Sequence, residues 1–139
     1  MNDKITKRID QLTKIFTQIK QLDENELSHL YELVSLHNEA LFITADLFAE
    51  AKYERDEAYR ERKLIEAETK RDTQGTGVMK EATAEIAVQE YRRIENEADK
   101  IYSKYRYYYD ALDHRLVDYR QKRNKLEDEL KTINDKGMT

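Results

Sequence analysis

The segment Tyr102-Ser103-Lys104-Tyr105-Arg106-Tyr107-Tyr108-Tyr109-Asp110 sets five aromatic rings around two cations. Rings of this kind stack on unpaired bases while Lys and Arg track phosphates, each stacked base contributing roughly 1–3 kcal/mol. Lys104, Arg106 and Tyr107 are therefore the residues for a single-stranded nucleic-acid site. Helical spacing gives a second account of the same rings. Tyr105 and Tyr108 fall on a coiled-coil seam, Tyr102 and Tyr109 on an adjoining apolar stripe, and only Tyr107 points clearly outward. Packing or protein contact explains four of the five and is the favoured reading.

Other reactive constellations are weaker. His37 and His114 approach one another if the chain folds back on itself, with Glu39, Asp110 and Asp113 nearby, but no HxxxH or HExxH spacing occurs and the repeated Glu-x-x-His of di-iron bundles is missing. No metal and no cofactor is expected, and His37 is read as a polar interruption of the seam that fixes register. Gly75-Thr76-Gly77 lacks the Lys-Ser/Thr of a phosphate loop and follows no strand, so it reads as a turn. Arg92 and Arg93, with Arg55, Arg60, Arg62 and Lys63, form a possible basic area. Residues 52–72 nevertheless hold seven bases against seven acids, and pairs such as Asp56 with Arg60 and Glu66 with Lys70 have the i,i+4 spacing of a solvated helix face. No nucleophile has a base beside it, so no catalytic residue is assigned and the chain reads as a non-enzyme.

These residues sit on a chain of 139 residues with 25 Lys or Arg, 29 Asp or Glu, a net charge of −4, three Gly and no Pro, Trp or Cys. Absence of Cys excludes disulfides, Cys-bound zinc and thiol catalysis. The acidic balance gives no global attraction to nucleic acid or to an anionic membrane. The N-terminus lacks the apolar core of a signal peptide, and the most apolar stretch, residues 40–49, is too short to span a bilayer and contains Asp46. A cytoplasmic protein without membrane contact is expected.

Breaks at residues 22–26 and 73–78 predict an all-α fold of three helices, about 3–21, 24–72 and 79–134, in a single domain over 1–139. Asp23 and Glu26 have the spacing of a capping box. At 1.5 Å per residue the long helices are roughly 70 and 80 Å rods, and the short connection between them predicts an antiparallel coiled-coil hairpin. On the third helix Ala84, Tyr91, Ala98, Tyr105, Leu112, Tyr119 and Leu126 recur every seven residues, with Ala87, Ile94, Ile101 and Tyr108 following by three. On the second, Leu27, Val34, Leu41 and Phe48 repeat alike. The first helix offers Ile5, Ile9, Leu12, Phe16 and Ile19 as cover for a second apolar stripe, giving a three-helix base with a projecting two-helix arm. Counted from a turn at 22–23, Ile5 reaches only to about residue 40. Ile43, Leu47, Tyr102 and Tyr109 then remain uncovered and are the expected partner-binding patch. Residues 21–50 carry −7 and residues 100–125 carry +5, a pattern that selects this pairing.

Residues 61–106, with a charged Glu-Ala arm, a Gly-containing tip and a Tyr-Arg run, resemble small coiled-coil hairpin proteins of bacteriophages and prophages, often encoded in early regions beside annealing, replication or host-takeover functions. The resemblance implies an accessory protein that acts by binding, in the host cytoplasm if phage-encoded, and brings no catalytic residues. The expected function is non-enzymatic interaction with a protein partner or a second copy. Single-stranded nucleic-acid binding in recombination or replication is one alternative. Inhibition of a host enzyme or defence complex, with Glu24 to Glu50 occupying a nucleic-acid groove, is another.

Overall fold

The computed structural model describes residues 3–137 and is all-helical: α1 (Asp3–Lys20), α2 (Leu27–Asp72) and α3 (Gly77–Gly137). With no Pro to interrupt them and Ala, Glu, Lys and Arg abundant, α2 and α3 run unbroken for 46 and 61 residues. They pack together. The chain divides into two compact units, Met1–Leu47 with Tyr107–Thr139, and Phe48–Arg106.

In the first unit α1 covers a flank of α2. Ile15 packs with Leu36, Ala40, Ile43 and Leu112, flanked by Leu12, Ile19, Leu22 and Leu41, and Arg8 pairs with Asp46. α1 therefore reaches further along α2 than the count from residues 22–23 predicts. The reason lies in the connection. α2 starts at Leu27, and residues 21–26 form a wider turn in which the Asn25 N–H donates to Asp23 Oδ1 (2.9 Å) and the Leu30 N–H donates to the Glu26 carbonyl (3.0 Å). The Asp23 N–H donates to Nδ1 of His29 (2.8 Å), so His29 takes the place a capping box would give to the Glu26 carboxylate. The inward face of α1 is also turned by one residue from expectation. Ile15 is buried while Ile9 and Phe16 are exposed, because the inward series is 5, 8, 12, 15 and 19, with Arg8 admitted by its acid partner.

The second unit is held by the α2–α3 seam alone. Its buried side chains are Ala51, Ala58, Ala84 and Val88. Between these small residues the seam is polar: Arg62 bonds Glu95 and also Glu66 (3.2 Å), and the Arg55 guanidinium lies 3.8 Å over the Tyr102 ring. The expected line through Ala84 is correctly placed, but its companion on α3 lies four residues on, at Val88, Glu95 and Tyr102. Ile94 and Ile101, expected in the seam, are exposed. The turn before α3 is built by Gly75 at φ 121° and by Thr76, whose hydroxyl accepts the Met79 N–H (3.2 Å) while its carbonyl accepts that of Lys80, a helix N-cap.

Candidate interaction surface

The expected partner-binding patch is not a surface. Ile43 lies in the core with Ile15 and Leu112, and Leu47 is only 2% exposed. The longer reach of α1 covers Ile43, which the sequence count left open. Tyr102 is half-buried against Phe48, ring centroids 5.1 Å apart, and Tyr109 is half-buried in the other unit. Of the aromatic segment, Tyr107 is 69% exposed as expected, and Tyr108 joins it outside the seam, their centroids 6.0 Å apart. Lys104 and Arg106 are exposed on the preceding turn of α3.

The two histidines have separate surroundings. His114 is exposed and its Nδ1 lies 2.7 Å from the Asp110 carbonyl. His37 is fully buried, with Nδ1 2.7 Å from the Leu33 carbonyl, an arrangement that makes Nδ1 the protonated nitrogen. The Tyr119 ring meets it edge-on at 4.9 Å. Nε2 is buried and meets no protein donor. Burial, aided by the Arg115 charge and opposed by the Leu33 bond, lowers the His37 pKa from its ordinary value near 6.5. Among the described residues no three His, Asp or Glu side chains converge to hold a metal, and no helix is long and apolar enough to cross a membrane.

Charges sort largely as the sequence register implies. Arg120 bonds Asn38 (3.2 Å) and Lys122 bonds Glu24 (3.1 Å), the second pair neutralising one acid of the segment expected to fill a nucleic-acid groove. In the second unit Arg93 bonds Glu90 (2.6 Å), Arg92 bonds Glu85 (2.7 Å) and Lys70 bonds Glu66 (3.2 Å). Arg60 pairs with Glu57 instead of Asp56. The lysine bond holds the Glu66 carboxyl below its usual range, and the Arg93 guanidinium does the same for Glu90. These basic side chains are engaged on the chain's own helices, as a solvated face requires.

Large apolar side chains also stand in solvent. Phe42, on α2 of the first unit, is 78% exposed, and in the second unit Ile94 and Ile101, spaced by one heptad on α3, are 42% and 50% exposed. The heptad line through Ile94 and Ile101 was legible in the sequence; that the chain leaves it uncovered was not. Phe42 fits neither apolar stripe recognised on α2. No family model, curated protein or solved structure matches this chain.

Proposed function

We propose that the chain is a non-enzymatic helical interaction protein, its α2 and α3 forming an antiparallel hairpin and its exposed apolar residues engaging a protein partner. The observation that carries this reading is the line of Ile94 and Ile101, large apolar side chains kept in solvent at heptad spacing along α3. A cytoplasmic accessory role of the kind fulfilled by phage hairpin proteins accords with it. The test is affinity capture from lysate with the native chain and with a Phe42→Ser, Ile94→Ser, Ile101→Ser variant. Proteins retained by the first and lost by the second, at equal helicity, support the reading, and identical capture overturns it.

A second reading rests on Tyr107, whose exposed ring and neighbouring Tyr108 suit base stacking. Fluorescence anisotropy of a labelled single-stranded oligonucleotide at about 50 and 200 mM salt separates the two, since phosphate contacts make affinity fall steeply with salt. Salt-sensitive binding abolished by Tyr107→Ala would favour nucleic acid. Absence of binding at both salts would leave the protein-partner reading alone.

A further inference from the structure

In the first unit the chain itself shows what covers a flank of α2. α1 is a cationic amphipathic helix, with five Lys or Arg against two Asp over residues 3–20. It packs on the side of α2 that presents Leu36, Ala40 and Ile43 and places Arg8 on Asp46. The neighbouring side of α2 is closed by α3, where His37 meets Tyr119 and, one residue later on both helices, Asn38 meets Arg120. Leu112 of α3 belongs to the same cluster as Ile15, Leu36, Ala40 and Ile43, so α1 sits beside both long helices.

In the second unit the heptad positions equivalent to the α1 seat are Glu50, Glu54, Glu57, Glu61, Leu64 and Glu68, reached in steps of four and three along α2. They carry no base. Of the acids, Glu57 is paired with Arg60, whereas Glu54 and Glu61 are exposed and meet no basic group within ion-pair distance among the described residues. The corresponding flank of α3 carries Ala87, Ile94 and Ile101, each one residue before the inward Val88, Glu95 and Tyr102. An apolar line and an acidic line therefore border one uncovered flank, and no described helix of this unit lies on it.

We propose that this flank of the second unit seats a cationic amphipathic helix of a partner protein, its apolar residues on Ile94, Ile101 and Leu64 and its Lys or Arg side chains on Glu54 and Glu61. It is the chemistry that α1 supplies in the first unit. The proposal rests on the interaction reading above and names the partner chemistry for its apolar line. Charge complementarity selects the occupant: a neutral or acidic helix would leave the glutamates unpaired beside it.

The test uses the full chain and two labelled model peptides of about 14 residues with the same helical apolar periodicity, one of Leu and Lys, the other of Leu and Glu. The Leu–Lys peptide should bind at least about tenfold more tightly at 50 mM salt and lose most of that advantage at about 300 mM. Ile94→Ser with Ile101→Ser should abolish binding without loss of helicity, since both side chains are exposed. Glu54→Lys with Glu61→Lys should reverse the peptide preference. Equal binding of the two peptides, or affinity unchanged by both pairs of substitutions, overturns the proposal. So does a native chain that sediments as a dimer dissolved by Ile94→Ser and Ile101→Ser, because the flank would then belong to a second copy. Failure of peptide binding with lysate capture still dependent on the isoleucines would leave the interaction reading standing and remove only the cationic helix.

Discussion

His37 gives the sharpest energetic prediction. Its ring is fully buried, Nδ1 is used on the Leu33 carbonyl and Nε2 has no donor to meet. A buried acceptor left unmet costs about 1–3 kcal/mol. His37→Leu removes that cost but gives up the edge-on contact with Tyr119, worth about 0.5–1.5 kcal/mol. The net expectation above pH 7.5 is a variant more stable than the native chain by roughly 0–2 kcal/mol. The difference must then grow in acid. Because the folded pKa is lowered from 6.5, the unfolded chain takes up the proton first. Native stability is full above pH 6.5 and is lost as pH falls toward and through the folded value, at up to about 1.4 kcal/mol per pH unit. The two proteins differ at no other residue, so the difference between the two profiles isolates His37. Urea unfolding followed by far-ultraviolet circular dichroism from pH 5 to 8 measures it. Superimposable pH profiles, or a variant clearly less stable at pH 8, would refute the reasoning and mean that a donor reaches Nε2.

Three further substitutions probe the described contacts. Leu47→Ala should cost about 2–5 kcal/mol in urea unfolding, as for a buried leucine, while Phe42→Ala should stay within about 0.5 kcal/mol; the reverse order would show that the exposed and buried faces of α2 are misassigned. Gly75→Ala should lower stability by about 1–3 kcal/mol, because φ is 121° and the new Cβ would lie 3.0 Å from Met79 Sδ. Gly77→Ala, with nothing within 4 Å, should instead stabilise by about 0.4–1 kcal/mol. A double-mutant cycle should give a larger coupling for Arg62 with Glu95, where the Arg62 side chain is 11% exposed, than for Arg93 with Glu90 on the solvated face; equal couplings would argue that the seam excludes no water there.

Much of the architecture could be read from residue types. Uninterrupted helix formers set α2 and α3, and the sevenfold line through Ala84 and Leu112 marked the inward side of α3, where both are buried. The second inward line was ambiguous because apolar residues occur both three and four positions on. Ile94 and Val88 are equally good hydrophobes, and only the packing of two particular helices decides that Val88 enters and Ile94 does not. Arg8 and Glu95 misled for a related reason. A charge reads as outward in a periodicity count, yet each faces inward here because an opposite charge waits across the seam. The patch at Ile43 and Leu47 failed on the turn length, since residues 21–26 use backbone and side-chain hydrogen bonds that a helix count passes over.

The best-buried unit is assembled from segments far apart in sequence: 59 residues, Phe48–Arg106, separate Leu47 from Tyr107. Closing a free loop of that length costs entropy that rises as (3/2)RT ln n. Pairing α2 with α3 from the short turn at residues 73–76 outward removes most of that search. The alanine-lined seam adds little burial of its own. During synthesis the side of His37 that Tyr119 covers stays open until Tyr119 has left the ribosome. Native-state amide exchange should carry the trace of this division of labour, with slow protons around Leu33 to Leu47 and faster ones along Lys52 to Lys70.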